Sequence, residues 1–286
     1  MRHDRLPWLA TLDAHQFDEP GTGAVYVVRG ERTAVVETGS ARSASTWMDA
    51  LDTERISFIF LTHIHLDHAG GAGLLAARHP EATVVVHPRG LRYLAEPERL
   101  LERVRIAAPA VYELYGVPVP IPMGRMHAVR DGEVFDLGSG LVVRAVETPG
   151  HAPHHTCYVE TESGCLFAGD ALGNYDCRPQ IPLTVPPGFD VSAGLSSLDR
   201  LEALDPQFIA YTHFGVADRG LERIAAYRGQ LIEWLRTIAD LRAKHPEDRV
   251  IHQMVERQTA AGLSDIQRQL VAMCVRGALL SVGSGA

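Results

Sequence analysis

The chain has 286 residues, a formal charge of -8 and a pI near 5.9. With 46% hydrophobic and 22% charged residues, it has an ordinary globular composition and enough length for a substantial core. The acidic balance, without a Lys/Arg-rich block, argues against a nucleic-acid partner, and no apolar run approaches the ~18 uncharged residues of a membrane-spanning helix.

The first residues, Met1-Arg2-His3-Asp4-Arg5, lead into polar sequence rather than a signal-peptide apolar segment. Cys157, Cys165, Cys177 and Cys274 form neither a CxxC pair nor a disulfide framework. A reduced, cytoplasmic setting is the expectation.

Val25–Val28 and Ala34–Val36 flank the turn Arg29-Gly30-Glu31-Arg32 and read as a hairpin. Ser43 begins a short helix reaching Leu51. The apolar run Ile56–Leu61 reads as a buried strand, and it opens directly onto Thr62-His63-Ile64-His65-Leu66-Asp67-His68. Four metal-capable side chains thus stand within six residues. His63 and His65, two apart at a strand end, can point to one side while Asp67 and His68 begin the next turn. Imidazole and carboxylate at this density suit zinc, iron or manganese rather than calcium or magnesium.

A helix over Ala69–Ala77 and a strand over Thr83–Val86 follow. Residues 88–126 carry helically spaced apolar positions and then the proline-rich stretch Val117–Met123, which reads as a helical insertion within the same domain. Tyr93, Tyr112, Tyr115, Met123 and Met126 would give that insertion an apolar face for a lid or pocket wall. Strands resume at Glu133–Phe135, Leu141–Val146, Thr156–Glu160, Cys165–Ala168 and Phe208–Tyr211.

From Gly220 the pattern is helical, with Leu221, Ile224, Leu231, Leu235, Ile238 and Leu241 on one face, and two more helices over Pro246–Arg257 and Ser264–Leu280. The expected organisation is a catalytic domain over residues 1–219, with the insertion at 88–126, and a C-terminal helical extension over 220–286 packed on the same domain. Whether those helices also form a homodimer contact is left open.

Three later strand ends each deliver another donor: His151 after Thr148-Pro149-Gly150, Asp170 after Ala168-Gly169, and His213 after Tyr211-Thr212. In this order, HxHxDH, then GH, then GD, then a strand-end histidine, the chain resembles the metallo-β-lactamase-fold hydrolase superfamily over about residues 20–215, most closely its lactonase-like and glyoxalase II-like branches.

That resemblance implies an α/β fold, the four-layer αβ/βα sandwich. It implies two divalent metal ions, zinc first with iron or manganese as alternatives. One ion would take His63, His65 and His151, the other Asp67, His68 and His213, with Asp170 bridging. Asp67 and Asp170 would be the catalytic carboxylates, and a hydroxide formed between the ions would attack an ester, lactone or thioester carbonyl of a small molecule. His155, four residues after His151, either orients a ligand or simply packs. Lactonases of this superfamily place a substrate-contacting tyrosine three residues after the bridging aspartate; here Gly173 stands there and Tyr175 is the nearest substitute. Cys177 reads as a spectator thiol near the pocket. The rivals are a mononuclear iron enzyme of the persulfide dioxygenase kind and a non-catalytic ligand-binding protein that keeps the fold.

Overall fold

The computed structural model describes residues 2–107, 109, 111–175, 179–259 and 262–283. Two mixed β-sheets lie face to face. The first has seven strands in sequence order: β1 (Arg2–His3), β2 (Leu6–Asp13), β3 (Ala24–Val28), β4 (Thr33–Val36), β5 (Ile56–Phe60), β6 (Thr83–Val86) and β7 (Met126–Ala128). Its first four strands are antiparallel and its last four parallel. Parallel neighbours need crossovers, supplied by α1 (Ala44–Trp47), α2 (Leu66–Ala69), α3 (Ala72–Arg78), α4 (Leu91–Ala95) and α5 (Glu98–Ala107).

The second sheet, in spatial order β13-β12-β11-β10-β9-β8, holds β8 (Val134–Gly138), β9 (Leu141–Glu147), β10 (Thr156–Glu160), β11 (Cys165–Gly169), β12 (Phe208–Tyr211) and β13 (Gly215–Asp218). β11 and β12 run parallel across α6 (Val191–Glu202), and α7 (Gly220–Arg242), α8 (Glu247–Thr259) and α9 (Asp265–Gly283) complete the chain.

The strands read as continuous apolar runs because both of their faces are buried. In β3, Val25 and Val27 pack outward with Trp47 and Leu51, while Ala24, Tyr26 and Val28 pack between the sheets. In β11, Leu166 and Ala168 face the helices and Cys165 and Phe167 face the other sheet. The result is the expected helix–sheet–sheet–helix sandwich. Ile224, Leu231, Trp234, Ile238, Val275 and Ala278 of α7 and α9 share one core cluster with Leu166 and Ile209.

Two buried tyrosines lock the sheets together where the functional strands end. The Tyr26 hydroxyl donates to Tyr211 O at 2.5 Å, and the Tyr158 hydroxyl to Leu61 O at 3.1 Å. Both acceptors lie just before candidate ligands.

The structure adds elements that local pattern did not disclose. β1 and β2 extend the first sheet on the N-terminal side, β7 and β13 form its short far edge and that of the second sheet, and α6 starts at Asp190, whose Oδ1 caps the Ala193 N–H at 2.9 Å. β2 escapes because its buried residues, Leu6, Leu9, Ala10 and Thr11, do not alternate.

Candidate metal centre

Four strand ends converge at one edge of the sandwich. After β5, Thr62 O accepts the Thr156 N–H at 2.8 Å, so the second sheet holds the backbone leading to His63. His65 is extended, with φ -61 and ψ 149, and flanks α2, which carries Asp67 and His68 in its single turn. Thr212 O accepts the Ala24 N–H at 2.7 Å, which fixes the approach to His213. The closing turn of β11 needs Gly169 (φ +51): a Cβ there would meet His155 Nε2 at 2.5 Å and Thr62 Oγ1 at 2.6 Å.

All seven predicted donors come together, in two groups: His63, His65, His151 and Asp170, and Asp67, His68 and His213. Within each group one donor atom per residue lies within 4.8 Å of the others. Asp170 faces both. Its Oδ2 stands 3.1 Å from His151 Nε2 and 3.9 Å from His63 Nε2, while its Oδ1 stands 3.2 Å from His68 Nε2 and 3.5 Å from His213 Nε2. Asp67 Oδ2 is 3.7 Å from both His68 Nε2 and His213 Nε2.

The ring orientations are held from behind. Nδ1–H of His68 donates to Glu37 Oε2 at 2.8 Å, that of His151 to Leu183 O at 2.7 Å, and that of His213 to Thr22 O at 2.8 Å. His63 Nδ1 meets Thr62 Oγ1 at 3.0 Å. With those tautomers the Nε2 lone pairs point into the cluster, the arrangement metal-binding histidines adopt.

A cation fits what these atoms lack. His65 Nδ1 lies 2.9 Å from His63 Nε2 and 3.0 Å from His151 Nε2. One proton cannot make two good hydrogen bonds there, whereas donors around a tetrahedral zinc with ~2.0–2.1 Å bonds stand about 3.3 Å apart. Buried His68 Nε2 and Asp170 Oδ1 make no hydrogen bond.

The electrostatics agree. Burial, then the neighbouring His68, His65 and His151, push His63 well below the usual histidine range. Burial also opposes charge on His68 and Asp170, yet each shifts the other toward its charged form. Asp170, Glu37 and Asp67 keep His68 well above its ordinary pKa, and His68 and His151 keep Asp170 well below. Three carboxylates around one histidine make a cluster that draws positive charge.

The supporting residues are only partly those expected. His155 lies beneath the site: its Nε2 accepts the Asp170 N–H at 3.1 Å and its Nδ1 meets Thr148 Oγ1 at 2.8 Å, so it orients Asp170. Tyr175, the nearest substitute for the lactonase tyrosine, does not line the cavity over the donors. Its ring stacks on Tyr211 at 5.1 Å under the Arg223 guanidinium and lines a separate surface groove. Of the five insertion residues, Tyr115 lines the cavity over the donors, whereas Tyr93 borders another surface hollow and Met123 is 56% exposed. Cys177 lies outside the described residues. Glu37 and Gln16 are additions: Glu37 is fully buried at φ +68, and the Gln16 amide donates to Asp67 O.

Above the donors opens a cavity of about 180 Å³. His65, Asp67, His151, Asp170 and His213 line one part of it, and apolar side chains from α5, α9 and the 179–186 segment line most of the rest.

An αββα sandwich with a split histidine–carboxylate cluster at its edge defines a class of metal-site proteins. The profile of the metallo-beta-lactamase superfamily matches residues 18–213, and the chain belongs to that superfamily. It is 31% identical over 215 residues to a metallo-beta-lactamase fold-containing protein of Sulfurisphaera tokodaii, covering 73% of this chain and 78% of that one. The solved structure of an archaeal superfamily member from Sulfolobus tokodaii superposes with a TM-score of 0.74 at 25% identity, over 95% of this chain and 98% of that one.

An atrochrysone carboxyl ACP thioesterase of Aspergillus fumigatus is 31% identical over 161 residues, 55% of this chain and 42% of that protein. The chain thus spans less than half the length of that fungal relative. No described helix is long and apolar enough to cross a membrane.

Proposed function

We propose that this protein is a dinuclear metal-dependent hydrolase acting on an ester, lactone or thioester carbonyl of a small molecule. The observation that carries the reading is the division of Asp170, one oxygen facing His63 and His151, the other His68 and His213. His63, His65 and His151 would hold one ion, Asp67, His68 and His213 the other, and Asp170 both. Two such ions, zinc first, would supply a water of lowered pKa as nucleophile and a Lewis acid for the carbonyl.

The protein's own part is positioning. Glu37, Leu183 O and Thr22 O hold the imidazoles, and His155 holds Asp170. Asp67 borders both donors and cavity, so its carboxylate is available to orient the attacking water and accept its proton. The apolar walls limit competing water. Residues 1–219 would form the catalytic unit, with 220–286 closing the cavity through α9. The thioesterase relative favours a thioester among the three carbonyl classes.

The test is a zinc-, iron- or manganese-loaded preparation assayed against thioesters, lactones and phosphodiesters. Turnover of a thioester or ester, lost in His65→Ala and Asp170→Asn while circular dichroism stays native, is the expected result. No hydrolysis of any substrate, or about one iron per chain with oxygen uptake, would overturn it.

A further inference from the structure

We infer that the cavity is an acyl pocket for an uncharged apolar chain or a single ring, and that α9 sets the length it accepts; this builds on the hydrolytic reading. α9 is apolar on two faces. Val271, Val275 and Ala278 are fully buried in the core beside α7. Ile266, Leu270 and Met273, spaced as one helical stripe, are half-buried and line the cavity; Ile266 also packs against the core on the first sheet, whereas Leu270 and Met273 face the cavity. That second apolar face is explained by a ligand that covers it.

Three observations name that ligand. The stripe is continuous with the donor cluster, since His65, Asp67 and Asp170 border the same space. The described lining residues carry Glu19, Asp67, Asp170 and three histidines but no lysine or arginine, so among them an anionic chain end finds no cationic side chain away from the donors. The cavity, of about 180 Å³, is walled in part by Leu270 and Met273 of α9, so medium-length chains and single rings are the groups to set against longer ones.

The experiment compares thioesters from acetyl to dodecanoyl, together with an octanoyl thioester bearing a terminal carboxylate, on wild type, Leu270→Trp and Leu270→Ala. It adds calorimetric titration of the same proteins with octanamide and acetamide, which does not need turnover. Wild type should prefer hexanoyl and octanoyl over acetyl and dodecanoyl, and use the carboxylate-bearing substrate at least ~10-fold less well than octanoyl. Leu270→Trp should lower kcat/KM for octanoyl about 10-fold or more and acetyl less than about 2-fold, and weaken octanamide binding in parallel. Leu270→Ala should move the optimum to longer chains, and it carries the test alone if the tryptophan variant does not fold.

A chain-length profile that neither variant changes, or equal use of the carboxylate-bearing substrate, would overturn the pocket while leaving hydrolysis standing. Octanamide binding that depends on Leu270, without turnover of any ester, would leave the pocket standing and remove the hydrolase.

Discussion

Gly277 ties the C-terminal helix to the metal centre, and replacing it with alanine tests that tie. A Cβ on Gly277 would stand 1.9 Å from Thr184 O and 2.8 Å from Pro186 N. Reaching an ordinary C···O separation of ~3.3 Å requires the two backbones to part by about 1.4 Å. The strap is held at that point, because the Thr184 hydroxyl donates to Cys274 O at 2.6 Å and accepts the Trp234 indole N–H at 3.3 Å. The next carbonyl back, Leu183 O, fixes His151 Nδ1 at 2.7 Å. A shift of this size takes Leu183 O out of hydrogen-bond range of the imidazole. Overpacking of this kind costs about 1–3 kcal/mol, and loss of the partner behind a ligating histidine lowers metal affinity ~10–100-fold.

Denaturant unfolding and competitive zinc titration read the two effects separately, with Arg276→Ala, exposed on the same helix, as the neutral control. Wild-type zinc affinity in a folded Gly277→Ala protein would refute the link between α9 and His151.

Three more variants probe the support behind the cluster. Glu37→Gln keeps one acceptor oxygen but removes the charge that faces His68 Nδ1 at 2.8 Å and the Thr62 N–H at 3.0 Å; zinc affinity should fall ~10–100-fold, measured against a chelating dye. His155→Phe leaves the buried Asp170 N–H without its acceptor, at about 1–3 kcal/mol, while Thr148 Oγ1 keeps its bonds to Cys157, and should lower the melting temperature of the metal-free protein. Burial, then His151 and His87, push His154 down to about 4 from 6.5. The unfolded chain therefore takes up a proton in that interval that the fold resists. Stability is complete above about pH 6.5 and is lost as the pH falls toward 4, by on the order of 2 kcal/mol given partial exposure. His154→Gln should flatten that part of the curve, and an unchanged slope would contradict it.

The donors themselves were legible because each follows a strand whose apolar run is unmistakable, and because four of them crowd into one hexapeptide. What orients them was not. Glu37 meets His68 across 31 positions and Thr184 meets Cys274 across 90, contacts that tertiary packing creates and no local periodicity marks. The insertion shows the same limit. Helical spacing identified apolar faces near Tyr93 and Tyr115 alike, but only the fold decides which of them borders the donors. α9 read as one more amphipathic helix because a periodic pattern does not separate a face in the core from a face in a cavity. Tyr175 was a candidate by sequence distance from Asp170 alone, and its stacking on Tyr211 is a contact that such distance does not reveal.

Anomalous diffraction from a zinc-loaded crystal addresses the metal centre without recourse to substrate. The account predicts two peaks per chain ~3.5–4 Å apart, one among His63, His65 and His151, the other among Asp67, His68 and His213, with Asp170 touching both. A single peak, or none at this edge of the sandwich in zinc-saturated protein, would contradict it.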